Sequence, residues 1–348
     1  MLRAILLRLA GAIPVLFLVA CGIFCLLHLA PGDAASLLSS TDAGPEDVER
    51  LRALWGLDQP LYVQFGKFLL NVAQLDLGTS LRYQQPVVAM IAERLPATLE
   101  LAVVTLIIAV CVGVPLGIAA ALNKGKVIDG LVSMIAVAGV SAPSFWMGIL
   151  LVLLFSADLH ILPSSGRLPY GTPIADGTGF YLIDSLMAGQ FKTFGLVLSH
   201  LALPAMTLAA GMVGIIARIA RSALIDVGQE DFISTAVAKG LSRGQIVRRH
   251  LLPNAAIPIT TIIGLELGVL MSGTIIVEVI FSWPGVGSLL FQAVNVRDTP
   301  LTTGVVVVYT ALFIALNVLI DLFYFVIDPR VGASEPGRLS ARRVDERA

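Results

Sequence analysis

Residues 98–122 read TLELAVVTLIIAVCVGVPLGIAAAL, a run in which Glu100 is the only charged side chain. A hydrocarbon core of about 30 Å is crossed by about 20 helical residues, so this run is long enough to span a bilayer. Backbone polar groups must pair with one another inside lipid, which makes such a run a helix. The sequence therefore predicts an all-α polytopic membrane protein with six transmembrane helices, at 8–29, 98–122, 131–155, 196–220, 256–281 and 303–327.

The composition supports this class. Hydrophobic residues make up 57% of the 348 residues and charged residues only 14%, whereas an ordinary soluble domain is roughly 25% charged. The 23 Lys and Arg nearly balance the 24 Asp and Glu, so no overall basic field would attract nucleic acid. We expect a lipid bilayer as a partner and no nucleic acid.

The distribution of basic residues predicts the orientation. With an inner N-terminus, 15 of the 23 Lys and Arg fall in segments on the inner side, and three fall in the short outer segments. The remaining five lie in the outer segment 30–97, which is too long to count in the positive-inside rule. Both termini are predicted to be cytoplasmic. Arg3, Arg8 and the apolar run after them could be a signal peptide, but its length and the later spans favour a retained helix.

The outer segment 30–97 carries its own periodic pattern. After Pro60, apolar residues recur at the spacing of one helix face, which predicts an amphipathic helix on the outer surface. Packing against the outer ends of the spans and docking of a partner are both open for it. The apolar positions are Leu61, Phe65, Phe68, Leu69 and Val72.

A second decisive stretch, residues 231–253, reads DFISTAVAKGLSRGQIVRRHLLP. It predicts two short helices joined by a tight turn. Asp231 is expected to cap the first helix, and Gly240 to end it in a left-handed conformation. The second helix is expected to open with the capping-box spacing of Ser242 and Gln245 and to stop before Pro253.

The first of these helices carries mostly small side chains, which allow another backbone to approach closely. They are Ser234, Thr235, Ala236 and Ala238, with Phe232 and Ile233 at the base of the helix. A surface gripped by a partner and a structural hairpin between the fourth and fifth spans are both open at this point. Nearby basic residues could contact lipid headgroups or that partner; they are Arg243, Arg248, Arg249 and His250.

Ionisable residues inside spans suggest function, because hydrocarbon disfavours them by about 2.5 to 3.5 kcal/mol at the centre. Glu100 and Glu278 are expected near outer helix ends, where water can reach them, and Asp321 toward an inner end. Glu266 is the most deeply placed, and we rank it first as a cavity-facing group. Packing of Glu266 against a partner helix is the alternative.

Several helix-bending or close-packing residues lie in the third and fifth spans. Pro143 belongs to the third, and Gly264, Gly268 and Gly273 belong to the fifth. Such residues suit a gate, and they suit static packing equally well.

The chain carries no motif for ATP hydrolysis. No Gly-x-x-x-x-Gly-Lys-Ser/Thr phosphate loop occurs, and the four His are scattered without the spacing of metal ligands. We expect no catalytic residue, bound cofactor or metal in this chain. Any energy source must therefore lie in other chains.

At residues 235–240 and 252–255, the motifs TAxAKG and LPNA resemble the coupling loop of ABC importer permeases, the segment that inserts into a groove on the ATPase subunit. The form DFIxTAxAKGLS at 231–242 is similar to the dipeptide, oligopeptide and nickel branch, and the long first outer segment resembles its B-type subunits. Further matching stretches run along the chain, at 27–33, 56–60, 76–80, 96–101, 143–148, 277–287 and 328–330.

The resemblance implies the fold of a type I ABC importer permease. It divides the chain into residues 1–95, the first transmembrane helix and a long periplasmic segment, residues 96–328, the permease core with the coupling loop 221–255, and a cytoplasmic tail, 329–348. It also implies a bacterial inner-membrane assembly containing a homologous second permease, two ABC ATPases that use the ATP, and a periplasmic binding protein.

The resemblance assigns residues to two roles. Contact with the ATPase falls to Asp231, Phe232, Thr235, Ala236, Ala238, Lys239, Gly240, Leu241 and Pro253. The candidates for translocation or gating, from the motifs and the span chemistry together, are Pro143, Trp146, Glu266, Glu278 and Trp283.

Peptides are the expected cargo, with nickel, glutathione or another small solute as alternatives. Two other classes stay open beside the importer. A secondary transporter or channel would need an ion relay and inverted repeats, of which the sequence gives no clear sign. A membrane-anchored binding or structural protein is the other.

Overall fold

The computed structural model of the chain describes residues 2–29, 58–74, 76–174 and 177–327. Within these ranges the fold is all-α, and the one β contact is the isolated bridge between Thr79 and Pro86. The helices are α1 Leu2–Leu29, α2 Leu61–Ala73, α3 Val87–Leu122, α4 Val127–Ser141, α5 Ser144–Leu151, α6 Tyr181–Met187, α7 Phe191–Val227, α8 Asp231–Ala238, α9 Arg243–Ile246, α10 Leu252–Ile280, α11 Val286–Asn295 and α12 Thr299–Ile327. Two π-helical turns, Val152–Asp158 and Val247–Leu251, follow α5 and α9.

Four helical runs of the described chain are each long and apolar enough to cross a membrane. They are α3, α7, the run Arg243–Met271 that joins α9 to α10, and Thr299–Val318 of α12. The bent pair formed by α4 and by α5 with its π turn makes a fifth crossing if it is counted as one span. Helix α1 lies where the first span was predicted, and Ile13–Cys25 is its apolar part among the described side chains.

The third predicted span, 131–155, is not one continuous helix. Helix α4 ends at Ser141 and α5 begins at Ser144, with an angle of 107° between Val127–Ser141 and Ser144–Asp158. Pro143 disfavours the helical conformation at the residue before it and supplies no N–H for a helical bond. Ala142 is accordingly extended, with φ −80° and ψ 125°.

Helix α7 lies at the centre of the bundle and packs against α3, α10 and α4. Two of these contacts depend on glycines. A Cβ on Gly117 of α3 would lie 2.6 Å from the carbonyl oxygen of Ala217, and one on Gly214 of α7 would lie 2.5 Å from that of Ala136. Small residues at these crossings let the helices approach to backbone contact.

The predicted amphipathic helix exists as α2, and it packs on α1 through aromatic rings. The ring of Phe65 lies 5.9 Å from that of Phe17 and 5.1 Å from that of Phe24, measured between centroids. Leu61 and Tyr62 of α2 are exposed. Helix α1 in turn packs on α12. Helices α1 and α2 therefore lie at the side of the bundle.

Candidate functional site

The first half of the 231–253 segment is the helix α8, and its start differs from the prediction. Glu230 is the N-cap residue, and no side chain caps the helix. The expectation that Asp231 caps α8 is wrong, because Asp231 is already the first helical residue and a cap must lie one position earlier. Its carboxylate still stabilises α8, because the backbone N–H groups at the helix N-terminus carry partial positive charge.

The end of α8 confirms the predicted role of Gly240 in the backbone. Gly240 has a φ of +76°, and its N–H donates to the carbonyl of Val237 at 2.9 Å. The N–H of Leu241 donates to the carbonyl of Ala236 at 3.3 Å. Together these two bonds form a Schellman motif, which closes the helix with a sharp turn.

The capping box at the start of α9 is confirmed. The Oγ of Ser242 accepts from the N–H of Gln245 at 3.4 Å, and the N–H of Ser242 donates to Oε1 of Gln245 at 2.9 Å. The expected stop before Pro253 is wrong, since helical structure continues from Arg243 through the π turn into α10. The wider π turn accommodates the ring and the missing N–H of Pro253.

Helix α8 has an inner and an outer face. Ile233 and Ala236, three residues apart, are buried in an apolar cluster with Ile246, Leu251 and Leu224. Ala236 therefore faces its own chain, which corrects the expectation of an exposed side chain there. The side chains left exposed are Asp231, Phe232, Ser234, Thr235, Val237, Ala238 and Lys239.

Polar contacts join this segment and the neighbouring helix ends. Nη2 of Arg243 donates to the carbonyl of Leu122, at the C-terminus of α3, at 2.5 Å. Nε and Nη2 of Arg221 on α7 donate to the two carboxylate oxygens of Asp129 on α4 at 2.5 and 2.8 Å. The N–H of Gly125 donates to the same carboxylate at 2.9 Å. We call this part of the bundle the 231–253 end.

Glu266 lines a cavity, as predicted. It lies fourteen residues from either end of α10 and is 7% exposed. The cavity holds about 240 Å³ and lies where α4 breaks away from α5, beside α7 and α10. Pro143 creates the break, and Trp146, on the first turn of α5, is 49% exposed.

Glu278 is not reached by water, contrary to the prediction. It is fully buried and accepts from Thr98 Oγ1 at 2.7 Å and from the N–H of Ser288 at 2.8 Å. The N–H of Ser288 belongs to the first turn of α11, so Glu278 caps that helix from α10. A Cβ on Gly285 would lie 2.4 Å from Glu278 Cδ, which explains why the cap needs glycine there.

Trp283 and Glu100 also make buried contacts that join elements of the fold. Trp283 is fully buried, and its Nε1 donates to the carbonyl of Ala97 at 2.9 Å. Glu100 was expected to meet water, but it is buried and paired with Arg167 at 2.5 Å. The guanidinium of Arg167 lies 3.6 Å from the ring centroid of Tyr181. These contacts tie the segment between α5 and α7 to α3.

The same segment contains a second buried carboxylate, Asp184. It accepts from the N–H and the hydroxyl of Thr178, each at 2.9 Å, and from the N–H of Gly179 at 2.9 Å. Burial alone would raise the pKa of Asp184, but these hydrogen bonds outweigh it and hold the pKa below its ordinary value. No local pattern predicts this site, because its three residues form no recognised motif.

These features define a class: a polytopic membrane protein with a cavity beside the middle of α10 and a capped helical segment at one end. The chain belongs to the family of binding-protein-dependent transport system inner membrane components. That family matches residues 113–333, and its N-terminal component matches residues 1–102. The chain is thus an ABC importer permease subunit and not an enzyme, as predicted.

Individual relatives cover nearly the whole chain. The probable D,D-dipeptide transport system permease DdpB of Escherichia coli K12 is 43% identical over 310 residues, 89% of this chain and 91% of its own. The dipeptide transport system permease DppB of Alkalihalophilus pseudofirmus is 38% identical over 324 residues, 93% of this chain and 97% of its own.

A solved structure shares the fold. An inward-facing form of the MetNI methionine ABC transporter matches with a TM-score of 0.51 at 18% identity, covering 67% of this chain and 93% of that one. The type I importer permease fold predicted from the motifs is therefore confirmed.

Proposed function

We propose that this chain is one of two permease subunits that form the pathway of an ATP-driven importer for di- or oligopeptides. The names of the two relatives support the peptide class, because both are dipeptide permeases and both align over about nine-tenths of this chain. A periplasmic binding protein would deliver the cargo. Two ATPase chains would supply the energy, since this chain has no phosphate-binding loop.

The structure of α8 supports the proposal that ATPase chains drive this subunit. One face is anchored to the chain by Ile233 and Ala236, and the other presents short side chains such as Thr235 and Ala238 to solvent. Its end is closed by Gly240. A helix that is rigidly held and exposed on one side suits insertion into a groove of another protein.

Displacement of α8 by the ATPases would reach the spans through the contacts already described. Arg243 connects the segment to the C-terminus of α3. The ion pair of Asp129 and Arg221 connects α4 to α7. We infer that approach of the ATPases on binding ATP moves these helix ends together and turns the pathway from inward-facing to outward-facing.

The proposed orientation puts the 231–253 end and both termini in the cytoplasm of a bacterium. Arg248 and Arg249 are exposed there, beside the level at which anionic headgroups attract basic side chains. Binding of the cargo protein would then take place on the opposite side, where Arg167 holds the segment between α5 and α7.

Reconstitution tests this function. The chain is placed in liposomes with its second permease and ATPases, and uptake of a radiolabelled dipeptide is measured with the binding protein outside and ATP inside. We expect uptake that depends on all components and on hydrolysable ATP. Uptake driven by an ion gradient without ATPases would instead support a secondary transporter. Selective uptake of nickel or glutathione would replace the peptide assignment.

A further inference from the structure

The cavity beside Glu266 is lined by three parts of the bundle. Gly139 and Ser144 come from the two sides of the break between α4 and α5, Thr207 from α7, and Glu266 and Gly273 from α10. Gly139 also lets α4 approach α7 closely, because a Cβ there would lie 2.6 Å from the carbonyl oxygen of Ala210. Glu266 is the one acidic or basic side chain among the residues that line this cavity.

Glu266 differs from the other buried carboxylates of the described spans in having no partner. Glu278 accepts two hydrogen bonds, Glu100 is paired with Arg167, and Asp129 is paired with Arg221. No hydrogen bond or ion pair joins Glu266 to any described residue, although it is more than nine-tenths buried. The fold therefore makes no use of this carboxylate.

The broken end of α4 adds acceptors to the same cavity. The N–H of Ala142 bonds to the carbonyl of Ala138, and Pro143 has no N–H to offer the carbonyl of Gly139. The last carbonyls of α4 thus lack the helical donors that a continuous span would supply. They form the negative end of the helix dipole, and Gly139, Val140 and Ala142 line the cavity.

A carboxylate beside the negative end of a helix is the complement of a cationic donor. A primary ammonium offers three N–H donors and a positive charge, and the free amino terminus of a peptide is such a group. We propose that Glu266 and the carbonyl end of α4 bind the α-ammonium group of the cargo as it passes through the membrane. This inference rests on the proposed function, because it takes the cargo to be a peptide.

Protection from a carboxyl reagent tests the ligand chemistry. The complete complex in nanodiscs is treated with dicyclohexylcarbodiimide, and modification of Glu266 is measured by mass spectrometry. Alanyl-alanine at about ten times its dissociation constant should reduce the modification about tenfold. N-acetyl-alanyl-alanine, sodium and potassium should leave it unchanged. Equal protection by the acetylated dipeptide, protection by the inorganic ions, or no protection at all would overturn the proposal.

Variants then test the site in transport. Glu266→Gln removes the charge at nearly constant volume, and we expect dipeptide uptake to fall about tenfold, as for one lost charged contact. Glu266→Asp should retain more uptake than Glu266→Gln. Glu93→Gln, the same change at an exposed position of α3, should transport like the parent. Unchanged uptake in Glu266→Gln would refute the site.

The two hypotheses fail in different ways. If the parent complex takes up no peptide with ATP, the proposed function is wrong, whatever the labelling shows. If the parent transports dipeptides but Glu266→Gln transports them equally well, only the ammonium site is wrong. In the second case, stimulation of ATP hydrolysis by the binding protein shows that the Glu266→Gln complex is assembled.

Discussion

Asp129 and Arg221 face each other across the 231–253 end and form an ion pair with two hydrogen bonds, one to each carboxylate oxygen, of 2.5 and 2.8 Å. The pair joins the first turn of α4 to the last turns of α7. Such a fork fixes the relative position of the two helices more tightly than a single contact does. Because α4 also borders the Glu266 cavity, the pair connects this end of the bundle to the cavity wall.

Replacing Asp129 by Asn should therefore weaken both the structure and the coupling. The Asn side chain has one neutral acceptor oxygen in place of two charged ones, so it cannot accept both guanidinium hydrogen bonds. We therefore expect the unfolding midpoint of the complex to fall by a few degrees. ATP hydrolysis should continue with less uptake per ATP. Asp226→Asn, at an exposed position of α7, is the control. Equal uptake per ATP in the two variants would show that the ion pair has no part in coupling.

Substitutions at Gly240 test the need for its backbone conformation, because an added Cβ there would meet no neighbouring atom. A Cβ at Gly240 or at Gly244 would meet no atom within 4 Å, but only Gly240 has a positive φ. Gly240→Ala should cost about 1 to 2 kcal/mol, because an L-residue is disfavoured in the left-handed conformation, and Gly240→Leu should abolish ATP-driven uptake while abundance in the membrane is kept.

Gly244→Ala, which lies inside α9, should be nearly neutral. Uptake and membrane abundance are measured together for all three variants. Full transport by Gly240→Leu at normal abundance would argue against α8 and its end as the site where ATPase movement enters this chain.

Gly285→Ala should destabilise the opposite end of the bundle. The added Cβ would lie 2.4 Å from Glu278 Cδ and 2.4 Å from its Oε1, so the carboxylate must leave the first turn of α11. Loss of such a buried charged hydrogen bond costs about 1.5 to 3 kcal/mol. The measurement is the unfolding midpoint in detergent. Gly195→Ala on α7, where a Cβ meets nothing within 4 Å, is the control, and an equal midpoint in both would contradict the cap.

Asp184 predicts a pH dependence confined to one segment. Its pKa is lowered in the folded state, so the folded form binds the proton more weakly than the unfolded form, whose carboxyl has a pKa of about 3.9. The stabilisation is complete above that value and is lost as the pH falls through the lower folded pKa. Hydrogen exchange of residues 177–184 should quicken below about pH 4 relative to α7. Uniform exchange across that range would refute this.

Local signals in the sequence predicted much of the fold. The apolar runs predicted the spans because lipid permits few alternatives, and the caps at Gly240 and Ser242 were predictable because capping depends on neighbours within about five residues. Proline was less informative. Pro143 separates two helices, whereas Pro253 lies in continuous helical structure and Pro204 lies inside α7, so a proline alone does not decide where a helix ends.

The contacts that determine the roles of Glu278 and Glu100 could not be predicted from a single sequence. Glu278 meets Thr98 across 180 residues, and Arg167 meets Glu100 across 67. From hydropathy alone, both Glu278 and Glu100 were expected to contact water, because they lie near the ends of predicted spans. Tertiary packing covered them with α11 and with the segment between α5 and α7. Glu266 lies at the middle of α10 and lines a cavity, and its part in translocation stays a prediction.

The unbroken passage from α9 through the π turn into α10 has a further consequence. Arg243 and Glu266 stand on one helical rod, about 35 Å apart at 1.5 Å per residue. Any tilt imposed at the Arg243 end moves the carboxylate at mid-membrane in the same stroke. Under the proposed mechanism, a displacement of α8 that tilts this helical run would also move Glu266 relative to the end of α4, and cargo release would follow from that change in geometry.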